Sequence, residues 1–396
     1  MKKENVLYLF ISSTLVISCS LDKQSYKELP YIDVNKDYPE KEINLTKIAD
    51  VTYLQLNTES ADFVYKGSIN YVTQNTIVVT DRSSNSVLFF TREGNPKSRF
   101  NHRGQGPEEY TDAAYVMYDD AADEVYISPD FSDYINVYSS SGEYKRKLTL
   151  PQRNIGGQMV FLDDQSLLVY DNTKLWQSIV NRHSNDKMAF TEQSKDSSFY
   201  LMSKADGTVL EYINLPRNNI DLSYSDPAGT FLGQVNYARV RKSPDGLFLY
   251  NPESDTIFLY TKDGILTPFM HKKPLLRKLN PFIVMDVCMD VEKFQFISVY
   301  SYSREGESPE AKYYMRDKKT GEIFRQKFTL PDYKGKVFCF NPRLPNYYEN
   351  EYHFELDAFE LKEAYRESKL GGKLKELAST LNEDEDENVF IFINFK

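Results

Sequence analysis

Val125-Tyr126-Ile127-Ser128-Pro129-Asp130 runs through Ser132-Asp133 into Ile135-Asn136-Val137-Tyr138, and then into a turn at Ser140-Ser141-Gly142. Two short runs rich in Val, Ile and Tyr, joined by small polar residues and closed on a glycine, read as a β-hairpin. The same grammar stands upstream, where Val78-Val79-Thr80-Asp81 leads through Ser83-Ser84-Asn85 to Val87-Leu88-Phe89-Phe90 and Arg92-Glu93-Gly94. It returns downstream, where Phe248-Leu249-Tyr250-Asn251 leads through Glu253-Ser254-Asp255 to Ile257-Phe258-Leu259-Tyr260 and Lys262-Asp263-Gly264. Weaker copies end at Lys204-Ala205-Asp206-Gly207 and Lys318-Lys319-Thr320-Gly321.

The five turn glycines are 48, 65, 57 and 57 residues apart. Each interval holds about four strand-like runs, and four antiparallel strands at such a period describe one propeller blade. The expected fold is therefore all-β, a six-bladed β-propeller of four-stranded antiparallel blades. The blades fall near 66–104, 112–150, 157–216, 235–270 and 282–331, with an irregular last one from 335 to the end. Val51-Thr52-Tyr53-Leu54-Gln55-Leu56 alternates as a strand outside the first blade, and Asn388 to Phe395 forms the final strand. Pairing of these N- and C-terminal strands within the last blade closes the ring and leaves no sheet edge open. Between them, apolar residues at Phe359, Leu361, Ala364, Leu370, Leu374, Leu377 and Leu381 predict a helical insertion, interrupted at Gly371-Gly372.

The N-terminus carries a different signal. Met1-Lys2-Lys3 is basic, Val6 to Ser18 is mostly apolar and uncharged, and Leu15-Val16-Ile17-Ser18-Cys19 follows. That apolar stretch is too short for a membrane span and suits a secretory signal. A small residue before the cysteine resembles a bacterial lipobox, which implies a lipoprotein signal peptide over 1–18 and lipidation of Cys19. From 19 to 44 the chain is polar, with Pro30 and Pro39, and reads as a lipid-anchored tether. The propeller then occupies 45–396, and roughly 350 residues is an ordinary length for one closed all-β domain.

A net charge of −10 argues against nucleic acid as a partner and leaves the lipid anchor as the contact with the membrane. Cys288 and Cys339 sit in apolar strand contexts and read as buried thiols rather than a disulfide. Aromatic residues make up 14% of the chain, and most of them alternate within strands, where they must fill the space between blades. Tyr110, Tyr224, Tyr347 and Tyr348 fall in loops and remain as binding candidates.

The most distinctive local sequence is Arg103-Gly104-Gln105-Gly106-Pro107-Glu108-Glu109-Tyr110. As a rim loop it would turn Arg103, Glu108 and Tyr110 toward a ligand at the channel mouth. As a tight crossover between the first two blades, the same glycines and proline follow from backbone geometry alone, and this reading is favoured. His102, His183, His271 and His353 show neither HxxxH nor HxH spacing, so no metal and no cofactor is expected. There is no G-x-S-x-G, P-loop, dinucleotide fingerprint or H-E-x-x-H. Asp119-Asp120 and Asp163-Asp164 read as hairpin-turn residues, where Asp caps backbone amides, and Glu383 to Glu387 reads as a solvated linker.

The segment Arg103 to Tyr110, the early strand Val51 to Leu56, and the tail Glu385-Asp386-Glu387-Asn388-Val389-Phe390-Ile391-Phe392-Ile393 resemble the six-bladed β-propeller lipoproteins of Bacteroides-type gut bacteria. The resemblance covers essentially the whole mature chain. Tyr126-Ile127-Ser128-x-Asp130, then Ile135-x-Val137-Tyr138 and Gly142, is similar to a degenerate NHL repeat. The family resemblance implies a cell-envelope location, as an outer-membrane lipoprotein that is periplasmic or surface-exposed, and it implies no settled activity. A non-catalytic binding module for a glycan, peptide or envelope protein partner is the expected function. The alternative is an NHL-like propeller enzyme, a lyase or hydrolase with its site in the central channel. That alternative calls for two or more of the four histidines to meet carboxylates at one channel end.

Overall fold

In a computed structural model, the repeated hairpins become the middle strands of successive sheets, and six antiparallel blades of the four-stranded type form a ring. The structure describes residues 29–153, 158–173, 197–215, 223–225, 231–234, 240–251, 255–274, 282–302, 310–340, 350–381 and 389–396. Blade 1 holds the strands Gly67–Val72, Thr76–Asp81, Val87–Thr91 and Pro96–Phe100. Blade 2 spans residues 115–149, blade 3 spans 159–212, blade 4 spans 240–273 and blade 5 spans 282–330, each with four sequential strands. The long interval between Gly142 and Gly207 arises in blade 3, where the second and third strands, Ser166–Tyr170 and Phe199–Ser203, are far apart in sequence. First strands of consecutive blades touch one another, those of blades 1 and 2, 3 and 4, and 4 and 5, so they line the axis.

The burial of each strand follows from its place in the blade. Thr76–Asp81 is buried at every position, because neighbouring blades cover both of its faces. The outer strand Tyr144–Thr149 alternates instead, with Leu148 buried and its neighbours exposed. The apolar core is accordingly divided among the blade interfaces. One cluster joins Phe390 and Phe392 of the last blade to Ile77, Val79, Leu88 and Phe90 of blade 1. Another joins blades 4 and 5 through Phe248, Ile257, Val284 and Ile297. Phe89 meets Tyr118 edge-on across the first interface, with centroids 5.3 Å apart. Inter-blade packing is thus where the strand aromatics go.

The turn glycines do two jobs. Gly142 has φ +90°, a conformation that glycine reaches without a Cβ clash. A Cβ there would also lie 2.6 Å from Cβ of Phe100, at the end of the previous blade's outer strand. Gly264 has φ +77° but nothing closer than 3.6 Å. Gly142→Ala is therefore expected to cost about 3 kcal/mol, strain and clash together, whereas Gly264→Ala costs about 1 kcal/mol from strain. Denaturation midpoints of the two variants check the difference.

The ring closes at the termini. Strand β3, Ala49–Gln55, pairs antiparallel with Val389–Phe395, from Ala49 opposite Phe395 to Gln55 opposite Val389, and Val389–Phe395 pairs in turn with Glu351–Leu356. This last blade shows three strands among the described residues, with the helical insertion between two of them. Helix α1, Ala358–Arg366, is capped by Asp357, and α2, Gly372–Thr380, begins at the expected interruption. Leu361, Leu374 and Ala378 bury against the blade 5 side of the closing sheet, but Phe359 is 55% exposed.

The expected tether over 19–44 is corrected beyond residue 30. Strand β1, Tyr31–Asp33, adds in parallel to the outer strand of blade 4, and β2, Glu40–Asn44, adds in parallel to the outer strand of blade 5. The segment straps the outer edges of blades 4 and 5 before β3 enters the last blade. Ile32 and Tyr38 are buried under it, and the Tyr38 hydroxyl accepts from the Asp33 amide at 3.0 Å. Its polar composition misleads because a strand on the rim keeps many side chains in water, where Lys41 meets Glu322 and Lys327 meets Glu42. The signal peptide over 1–18 and Cys19 lie outside the described residues. Cys288 is buried as expected, Cys339 is exposed, and both are free.

Candidate functional site

Alternating strand direction sorts the connections onto two faces. The crossovers between blades and the second-to-third strand loops share one face, and the first-to-second and third-to-fourth turns share the other.

The segment 103–110 is the crossover from blade 1 to blade 2, on the first face. Gly104 donates to the Tyr110 carbonyl at 2.9 Å, and Glu109 donates to the Gly106 carbonyl at 3.1 Å. The Glu109 carboxylate folds back to accept from the Gly106 amide at 2.7 Å. A Cβ on Gly104 would lie 1.9 Å from that carboxylate, so any side chain there would have to displace the folded-back Glu109. Tyr110 does not face a ligand. It is fully buried, its hydroxyl donates to the Asn85 carbonyl at 2.9 Å, and its ring packs edge-on against Tyr138. Arg103 and Glu108 are exposed at the loop surface, and the Glu108 carbonyl accepts from the Tyr138 hydroxyl.

Among the described residues the histidines do not gather. His102 stacks on Tyr138 and bonds the Gly142 carbonyl, His271 stacks on Tyr31 at the edge of blade 4, and His353 is half-buried beside Phe392 in the last blade. His183, Tyr347, Tyr348 and Glu383 to Glu387 lie outside the described residues. Tyr224 falls in a short strand between blades 3 and 4. The acidic pairs behave as turn residues: Asp119 accepts from the amides of Ala121 and Ala122, and Asp163 from those of Gln165 and Ser166.

Charged groups converge on the opposite face. A cavity of about 760 Å³ opens at the axial end of blades 3, 4 and 5, lined by Phe161, Arg241, Lys242, Lys262, Asp290 and Lys318 among others. Phe161 meets Tyr71 of the non-adjacent blade 1 at 6.2 Å, so aromatic side chains reach across the axis here. Arg241 and Asp286, from the innermost strands of blades 4 and 5, form a buried pair at 2.9 Å, each side chain 3% exposed. Beside them the Cys288 thiol bonds the Ser298 hydroxyl, and burial and the nearby Asp286 push its pKa up to about 12. Lys318 donates to Asp290 at 2.9 Å; burial raises the Asp290 carboxyl, and Lys318 opposes the shift. Lys242 is half-buried, and burial together with the neighbouring Lys262 ammonium lowers its pKa to about 8.

Sequence reasoning missed this cluster, although one signal was present. Asp286 stands inside the apolar run Ile283-Val284-Met285-Asp286-Val287-Cys288, and a carboxylate in such a strand requires a buried partner. The partner, Arg241, is 45 residues away. The arrangement can present ammonium donors and carboxylate acceptors together in a partly enclosed space. Among the described residues no group of three or more His, Cys, Asp or Glu is placed to hold a metal.

The fold recurs in known structures. An exported-protein designation belongs to a Bacteroides fragilis protein that is 16% identical, with 93% of this chain and 99% of that one covered at a TM-score of 0.62. A member of the DUF4221 family from Bacteroides vulgatus is 10% identical over 88% of this chain and 97% of its own, with a TM-score of 0.45. Virginiamycin B lyase from Staphylococcus aureus is 14% identical over 72% and 75%, with a TM-score of only 0.36. No curated protein matches the sequence. From residue 29, just before the strap, to residue 394 in the closing strand, the chain matches and belongs to DUF4934, a domain of unknown function.

Proposed function

We propose that this protein is a cell-envelope lipoprotein, anchored through Cys19, whose propeller is a non-catalytic binding module for a glycan, peptide or partner protein. The observation that carries the reading is the cavity at the axial end of blades 3, 4 and 5, where ammonium, carboxylate and aromatic groups line one space. A rigid ring of sheets holding variable turns around such a space requires only side-chain changes to acquire a ligand. The exported designation of the structurally similar Bacteroides fragilis protein supports an envelope location. Among the described residues no helix is long and apolar enough to cross a membrane, and an acylated Cys19 would supply the attachment instead.

Thermal denaturation of the full-length lipidated protein in detergent, against panels of envelope glycans and peptides, tests the binding reading. A ligand that raises the melting temperature of the native protein, but not of Lys242→Met, supports it. Ligand stabilisation that survives Lys242→Met and is lost in Arg103→Ala or Glu108→Ala would move the site to the crossover face.

A further inference from the structure

A groove of about 1120 Å³ runs along the outer edge of the last blade, between helix α2 and the loop that leads from β3 into blade 1. It shares no lining residue with the axial cavity. Tyr53-Leu54-Gln55 of β3 lies along it, with Lys373, Leu377 and Thr380 of α2 on one side and Leu56, Val64 and Tyr65 on the other. Val51 and Tyr53 pack with the cluster that holds α2, and Leu54 and Leu56 with the cluster of blade 1, so the strand stands between two walls. Val64 is 58% exposed, an apolar side chain open to the groove.

Among the described residues β3 is an edge strand, paired only with Val389–Phe395. Lys396 donates to the Ile48 carbonyl at 3.1 Å, and the register runs on from there without a shift. Residues 48, 50, 52 and 54 therefore turn their backbone groups to that partner, and Val51, Tyr53 and Gln55 turn theirs outward. The Gln55 carbonyl lies against the Gly94 turn, 2.7 Å from where a Cβ on Gly94 would stand. No described residue bonds the outward N–H and C=O of Tyr53. In blades 4 and 5 the same outer edge is filled, by β1 and β2. The outer strands of blades 1 and 2 are guarded by Lys97, Arg99, Lys145 and Lys147, whereas Tyr53-Leu54-Gln55 carries no charge.

An open edge beside a helix is where an extended peptide adds a strand: its main chain bonds the edge, and successive side chains fall on opposite walls. We propose that this groove takes an extended apolar segment of a partner protein, which adds to β3 as β1 and β2 add to blades 4 and 5. Its backbone bonds the Tyr53 N–H and C=O, one side chain packs on Leu377, and the next packs on Val64 and Leu56. The strap argues for a polypeptide in this place, because twice in the ring the equivalent edge is taken by extended chain, three residues long in β1 and five in β2.

Fluorescence anisotropy of the full-length protein in detergent tests this, using short labelled threonine peptides that carry Val, Leu or Phe at two successive central positions. These peptides are expected to bind. N-methylation of one alternate set of their amides should weaken binding about tenfold, and of the other set should not, since only one set faces β3. Val64→Asp should weaken binding about tenfold with the melting temperature unchanged. Phe131→Asp, at a 53% exposed residue of blade 2, should change neither. Hydrogen–deuterium exchange should slow at 51–57 when a peptide binds. Equal effects of the two methylation patterns, binding that survives Val64→Asp, or silence across the peptides overturns the proposal. Protection at 241–247 and 288–292 in place of 51–57 would move the peptide to the axial cavity, sinking this inference and leaving the binding reading standing. A dimeric native protein that becomes monomeric in Val64→Asp would assign the groove to a second copy and overturn it as well.

Discussion

Asp286→Ala is expected to lower the free energy of unfolding by about 3–5 kcal/mol, because it leaves the Arg241 guanidinium buried without its carboxylate. Both side chains are 3% exposed, and they come from the innermost strands of adjacent blades, so the pair spans an interface rather than bracing one sheet. The charge of Arg241 persists in that site: burial, the largest influence, opposes it, but Asp286 together with the nearby Cys288 and Tyr300 outweighs burial, so the guanidinium pKa is raised. Removing both charges is a different experiment. Arg241→Met with Asp286→Leu should recover more than half of the loss, since an apolar pair of similar volume removes the desolvation cost of two ions. Chemical denaturation of the single and double variants measures both effects. A single variant within about 1 kcal/mol of the native protein would mean that water already reaches the pair.

Deleting residues 29–44 is expected to destabilise the propeller by about 5 kcal/mol while leaving β3 in place. Ile32 and Tyr38 each stabilise by about 2–3 kcal/mol when buried, and the lost ladders add to this. The deletion also uncovers the outer strands of blades 4 and 5, and open sheet edges recruit other chains. A lower denaturation midpoint together with self-association, followed by light scattering, is the predicted outcome. An unchanged midpoint in a monomeric protein would show that β1 and β2 are a dispensable covering. The strap is also part of the family match, which begins at residue 29 rather than at the first blade.

Those two regions mark the limits of reading this sequence unaided. The blades were legible because middle strands covered on both faces are apolar at their centres, as in Val78-Val79 and Val125-Tyr126-Ile127, and the same hairpin pattern recurs. The closure was legible for the same reason, since Val389–Phe395 is buried at all but one position. The strap was not, because a rim strand pairs its backbone while many of its side chains stay in water, and Glu40-Lys41-Glu42 is indistinguishable from a linker by composition. Tyr110 shows the converse error: a tyrosine in a polar loop reads as a binding residue, yet it is the plug around which the crossover folds. The cavity was hidden for a third reason. Phe161, Lys242, Lys262, Asp290 and Asn350 are scattered over nearly 190 positions, and only the ring brings their turns together.

The most direct test of a binding module with its site on the turn face is to find which face a ligand protects. Hydrogen–deuterium exchange of the full-length protein, with and without a ligand that raises its melting temperature, resolves this by segment. Slowed exchange confined to 241–247, 288–292 and 318–322 is the predicted result. Protection at 103–110, with those turns unchanged, would contradict it.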